Sequence, residues 1–203
     1  MMPYTIKQTV QASIKIQRSE FIAFLFPTAD SKMVQDILHQ HQQDYAKATH
    51  NCFAYVLGYE SETQYYSDAG EPGGSAGKPI LNSLLRNELS GVLAIVTRYY
   101  GGIKLGVKGL IEAYTQASAL AIEAAQLIPY QPYRYFDLQM GYNSLEILRH
   151  QMQKHAGEEL DAEYSDIISL KVKIPLSEAE AFCEFMDSYK ALGRLEYVIK
   201  EKT

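Results

Sequence analysis

Tryptophan is missing from the chain, and cysteine occurs twice, as Cys52 and Cys183. Two cysteines this far apart, without CxxC spacing, exclude a disulfide framework and fit a reducing compartment. Positive charge is scarce as well: Lys and Arg number 19 against 24 Asp and Glu, a formal net charge of -5. That balance excludes a histone-like polycation, so any nucleic-acid contact has to be local. No charge-free apolar run approaches ~18 residues, so no membrane-spanning helix is expected. The opening MMPYTIKQTVQ has neither a basic n-region nor an apolar h-region, so no secretory signal is read and a cytoplasmic location is expected. What is present is 203 residues, 47% of them hydrophobic and 21% charged, enough for one large domain or two small ones with real cores.

The pattern predicts strands over 3–9, 12–17 and 20–26, with a turn at Arg18-Ser19 and a stop at Pro27. A helix follows, capped by Thr28 or Asp30 and carrying Met33, Val34, Ile37, Leu38 and His41 at helical spacing. Cys52 to Leu57 reads as a strand covered on both faces. Residues 67–79, SDAGEPGGSAGKP, form a loop, and Pro79 suits a first helical position. GVLAIVTRYY is a buried strand, then GGIKLG leads into a long helix. Its apolar stripe runs through Val107, Leu110, Ile111, Tyr114, Ala117, Ala121, Ala124 and Ile128.

Two prolines, Pro129 and Pro132, mark a boundary that divides the chain into 1–130 and 131–203. The first part carries 10 basic and 11 acidic residues, the second 9 and 13, so the second is the acidic one. It reads strand (134–141), helix (143–156), strand (158–163), strand (166–174), helix (177–190), strand (194–200). That order is the split βαβ, ferredoxin-like plan.

Nine of the 13 glycines fall within residues 70–109. Arg98-Tyr-Tyr-Gly101-Gly102-Ile-Lys104-Leu-Gly106 joins a strand to a helix, a geometry that exposes backbone amides and favours an anion. Lys104 and Lys108 add charge there, and Arg98 is a candidate bidentate clamp. The competing reading is a plain strand-to-helix turn, with Arg98 paired to an internal carboxylate. The loop Ser67, Asp68, Gly70, Glu71, Gly73, Gly74, Ser75 and Lys78 matches neither GxGxxG nor GxxxxGK[ST], since proline follows Lys78. Asp68 and Glu71 are candidate acid/base groups, but Asx-type bonding to backbone N–H and neutralisation of Arg98 is the commoner use of such carboxylates. His50 and Cys52 share one face of their strand, yet no further Cys/His pair accompanies them, so no metal site is expected. A cysteine in this setting is most often a small core residue. Between 76 and 110 five basic residues (Lys78, Arg86, Arg98, Lys104, Lys108) meet one acidic residue, Glu88, which predicts a local positive patch flanked by Tyr65, Tyr66, Tyr99 and Tyr100.

The blocks SDAGEPGGSAGKPIL, VTRYYGGIKLGVKGLIEAY and ATHNCFAYV resemble the IMPACT family, in its bacterial YigZ-like branch. The resemblance covers nearly the whole chain. It implies an α+β fold: an N-terminal two-layer α/β domain similar to domain IV of elongation factor G, and a C-terminal ferredoxin-like domain similar to its domain V. It also implies a link to translation, since eukaryotic members act in translational control. Ser75 stands where the family usually has threonine, and Lys108 where it usually has glycine. The resulting expectation is a translation-associated, non-enzymatic protein that uses no cofactor. It engages RNA, the ribosome or a ribosome-associated factor through Arg98, Gly101, Gly102, Lys104, Lys108 and Lys78. The alternative is an enzyme for a small phosphorylated or carboxylated metabolite, with His50, Asp68 or Glu71 as acid/base.

Overall fold

The computed structural model describes residues 3–59 and 61–200. Two compact units divide the chain, Met1–Tyr130 and Gln131–Thr203.

In the first unit the elements are β1 (Tyr4–Ile6), β2 (Val10–Ile16), β3 (Ser19–Pro27), α1 (Ser31–Asp44), β4 (His50–Leu57), β5 (Thr63–Ser67), α2 (Gly77–Arg86), β6 (Val92–Tyr99), α3 (Gly106–Ala124) and β7 (Leu127–Pro129). Five strands make one antiparallel sheet in the order β2-β3-β6-β4-β5, and β1 pairs with β7 in a small ribbon. The turn falls at Gln17-Arg18, both at positive φ, one residue earlier than the sequence suggests. Two successive positive-φ residues match the right-handed twist of a two-residue hairpin, and they leave Ser19 to begin β3 as a buried residue. Asp30 caps α1 through a 2.8 Å bond from the Met33 amide.

Alternation along β6 explains its composition. Val92, Ala94 and Val96 face α2 and α3, while Leu93 and Ile95 face α1, so both faces are covered and apolar residues run unbroken. The main core packs Phe21, Leu25, Val56, Ile80, Leu84, Leu110 and Tyr114 between the sheet and the α2–α3 layer. A smaller cluster around Val34, Leu57, Leu93 and Ile95 holds α1 on the opposite face.

Two elements differ from the sequence reading. β5 lies in TQYYS, where no alternation of burial marks a strand because its residues are mostly exposed. The helix stripe extrapolated to Ile128 ends at Ala124, since 127–129 pairs with β1 and Pro129 cannot continue a helix.

The second unit runs β8 (Tyr133–Met140), α4 (Tyr142–Lys154), β9 (Glu158–Tyr164), β10 (Ile168–Pro175), α5 (Leu176–Ala191) and β11 (Leu195–Lys200). Its sheet order, β11-β8-β10-β9, is antiparallel throughout. That is the ferredoxin-like arrangement the sequence predicts. Phe136, Leu138, Leu170, Val172, Phe182 and Met186 form its core.

Candidate functional site

Sheet topology gathers the glycine-rich segments. β5 and β6 both run antiparallel to β4, so they point the same way and end where β4 begins. α2 follows β5 and α3 follows β6. Both helices therefore start at one end of the sheet, beside His50, the first residue of β4.

The loop carboxylates have separate tasks. Asp68 accepts backbone bonds from Gly74 (2.8 Å), Ala76 (2.9 Å) and Gly77 (2.8 Å), and so caps α2 from nine residues upstream of its start. Burial alone pushes its carboxyl up, but these three donors outweigh that and hold it below the ordinary aspartate value. The amides of the N-cap residue Ala76 and the first helical residue Gly77 are thus occupied by the protein's own anion. Glu71 is buried and accepts from Arg98 Nη1 at 2.6 Å and from the Tyr114 hydroxyl at 2.8 Å. Ser67 Oγ accepts from the Ala69 amide, and Ser75 Oγ donates to Pro72 O at 2.6 Å, so the loop's hydroxyls serve the loop.

Arg98 faces inward. It is 5% exposed, and its guanidinium carbon sits 5.4 Å from the Phe21 ring centre and 5.3 Å from that of Tyr100. Nη2 reaches Ser19 Oγ at 3.4 Å, while Nε has no hydrogen-bond partner among the described residues. The competing sequence reading, an internal carboxylate partner, describes this position: its charge is matched by Glu71 and is not presented to solvent. Ser19 Oγ also accepts the Gly101 amide at 3.2 Å, drawing the second glycine loop onto the β2–β3 hairpin. A Cβ on Gly101 would lie 2.0 Å from Arg18 O, so only glycine allows this approach.

Cys52 is fully buried. Its Sγ lies 2.9 Å from Asp68 O and 3.3 Å from the Tyr114 hydroxyl, and burial pushes the thiol up to about 12. It is a core residue without thiolate character. Burial, with Cys52 and Glu71 as neighbours, also pushes the Tyr114 phenol far up, so it stays a hydrogen-bond donor. Sequence reasoning placed Tyr114 among apolar residues and Ser19 in a turn. The one available signal was a tyrosine in an Ala/Leu stripe, because a buried phenol needs a partner.

Lys78, Lys104 and Lys108 are exposed, and among the described residues none of them joins an ion pair. Lys78 lies in the first turn of α2, Lys104 just before α3, and Lys108 in the first turn of α3. Lys108 takes ordinary helical backbone, so lysine in place of the family's usual glycine carries no strain there. Gly73, Gly74, Gly102 and Gly106 face open space, with nothing within 4 Å of a Cβ position. α3 has no side-chain cap and no acidic residue in its first turn, which leaves its leading amides available. His50 stands between the two loops: its Nδ1 is 2.9 Å from Ala69 O, and next to it Thr49 Oγ1 accepts the Tyr100 amide at 3.0 Å.

Two cavities, of about 430 and 520 Å³, border α1. His50 lines the first of them, with Thr49 and Ala69, and neither is lined by Asp68, Glu71, Arg98 or Lys104. No helix of the described residues is long and apolar enough to cross a membrane, and among those residues no cluster of three or more His, Cys, Asp or Glu groups is placed to hold a metal.

Comparison with known proteins gives concordant matches. A family model described as "Impact N-terminal domain" matches residues 17–122, and one described as "Domain of unknown function (DUF1949)" matches 138–188. The chain is 31% identical over 183 residues to the IMPACT family member YvyE of Bacillus subtilis (strain 168), covering 90% of this chain and 84% of that one. It is 30% identical over 170 residues to the IMPACT family member YigZ of Escherichia coli (strain K12), covering 83% of each. The chain is 36% identical over 98 residues to the Protein IMPACT homolog of Dictyostelium discoideum, a match covering 46% of this chain and 28% of that one. A crystal structure of a hypothetical protein superposes with a TM-score of 0.68 at 27% identity, covering 100% of both chains.

Proposed function

Because the chain belongs to the IMPACT family, we propose that it is a translation-associated regulatory protein that binds RNA at the helix-start end of its first unit. One observation carries this reading: three exposed lysines, in no ion pair among the described residues, and four open glycines lie in the segments that lead into α2 and α3 at one end of the sheet. Phosphates suit that surface, because lysine ammonium groups, the uncapped amides of α3 and side-chain-free backbone all accept close approach by a polyanion. The buried Arg98–Glu71–Tyr114 network supports the surface from beneath. It ties β6, the 67–77 loop and α3 together, and spends its charges on one another. The family's eukaryotic members, linked to regulation of translation, supply the biological setting.

A metabolite enzyme is the weaker reading. Asp68 is consumed as a cap, Cys52 is a neutral thiol, and of the acid/base candidates His50 alone lines one of the two cavities.

Fluorescence anisotropy with a labelled RNA hairpin across a salt series tests the proposal. Wild type should show log affinity falling with log salt, and Lys104→Ala/Lys108→Ala should flatten the slope by roughly two units. Salt-independent binding, or a double variant identical to wild type, contradicts it.

A further inference from the structure

We infer that His50 Nε2 accepts a ribose 2′-hydroxyl, so that the site distinguishes RNA from DNA; the inference rests on the RNA reading above. The tautomer follows from one contact. Ala69 O can only accept, so Nδ1 at 2.9 Å must carry the proton, and in the neutral ring Nε2 is left with a lone pair. That nitrogen makes no hydrogen bond among the described residues. Its nearest charged neighbour is Glu71 Oε1 at 3.9 Å, and this oxygen already takes Arg98 and Tyr114. The His50 side chain is 21% exposed, so part of the ring is reachable from solvent.

Gly70, at φ +90, lies against the ring, where even a Cβ would sit 3.4 Å from two ring atoms, an ordinary contact distance. Cross-strand pairing with Arg98 and the neighbouring Thr49–Tyr100 bond anchor the backbone on the other side.

A lone pair beside a carboxylate calls for a donor. Phosphate oxygens are acceptors and are repelled by both groups, so the phosphates belong with Lys104, Lys108 and the open glycines. A neutral hydroxyl satisfies Nε2 and carries no charge to be desolvated. A ribonucleotide offers both chemistries side by side, a phosphate and an adjacent 2′-hydroxyl, whereas deoxyribose lacks the donor. A built acceptor that loses its partner makes the wrong ligand costly, which is the physical basis for rejection.

The test measures the full-length chain with labelled 12-nucleotide uridine RNA, the 2′-deoxy form and the 2′-O-methyl form, by fluorescence anisotropy at one salt concentration. Wild type should bind RNA about 5- to 10-fold tighter than either modified form, equivalent to ~1 kcal/mol. His50→Phe, which keeps a ring without an acceptor, should bring RNA down to the deoxy affinity and leave deoxy binding within twofold. His50→Gln, whose amide oxygen still accepts, should retain part of the preference and guards against a folding defect. Equal RNA and deoxy affinities in wild type, with salt-sensitive binding intact, overturn the hydroxyl assignment and leave the RNA reading standing. A His50→Phe loss shared equally by all three oligomers also overturns it, because a base donor would then be the ligand. Absence of salt-sensitive binding to any oligomer overturns both.

Discussion

The two units handle charge in opposite ways. In the first, the ion pair among the described residues that joins permanently charged side chains is buried: Arg98 meets Glu71, and His50 Nε2 stands 3.9 Å from the same carboxylate without a hydrogen bond. Its surface lysines, Lys7, Lys15, Lys32, Lys47, Lys78, Lys104 and Lys108, join no ion pair among the described residues. In the second, six Lys or Arg pairs lie at or near the surface among the described residues, and Lys171, Lys173, Lys190 and Lys200 each face a carboxylate. Buried pairing fixes geometry and leaves surface cations free for an external anion; surface pairing neutralises them. The ferredoxin-like sheet face, where Lys171 meets Asp161 and Lys173 meets Glu158, is consequently a poor site for a polyanion.

Removing one partner in each unit breaks the comparison most sharply. Glu71→Ala strands a buried guanidinium and should cost ~3–5 kcal/mol in urea unfolding, because the remaining charge has no counterion. Lys190→Ala, at an exposed pair, should change stability by no more than ~1 kcal/mol. Similar losses in both would mean that burial does not separate the two kinds of pair.

Asp68→Ala comes next, at ~1–2 kcal/mol, since it uncaps α2 and loosens the first glycine loop. Its pH dependence has a definite sign. The folded carboxyl lies below the ordinary value of 3.8, so its contribution is present in full above that pH and is lost as pH falls below it. The Asp68→Ala variant should lack this acid-side decline.

His41 adds a second pH effect confined to the first unit. Burial lowers its pKa from 6.5 to about 4, so between these values the unfolded chain binds a proton that the folded one refuses. Stability of the first unit should rise with pH across that window, readable by hydrogen exchange at amides of α1 and β6. His41→Gln, keeping a side-chain group for Thr97 at the 2.8 Å contact, should flatten the rise.

The smallest stability effect belongs to the largest binding effect. Lys104→Ala/Lys108→Ala should leave unfolding within ~0.5 kcal/mol of wild type while flattening the RNA salt slope. Lys171→Ala/Lys173→Ala should leave that slope unchanged.

Much of this was legible in the sequence. The ferredoxin-like plan of the second unit followed from clean periodicities between Tyr133 and Lys200, and the resemblance to the IMPACT family from two long glycine-rich blocks. β5 was illegible because an exposed edge strand of TQYYS has no buried face to alternate with. The inward turn of Arg98 is one of two readings that the sequence allows, since residue type alone does not say on which side of a strand end a guanidinium will find its carboxylate. The roles of Ser19 and Tyr114 depend on contacts across 79 and 43 residues, which local spacing does not encode.

The most direct test is photocrosslinking of the full chain to 4-thiouridine-substituted RNA, with crosslinked peptides mapped by mass spectrometry. The account predicts crosslinks at His50, Tyr100 and the 102–108 segment of the first unit. Crosslinks concentrated on the β8–β11 sheet of the second unit would contradict it.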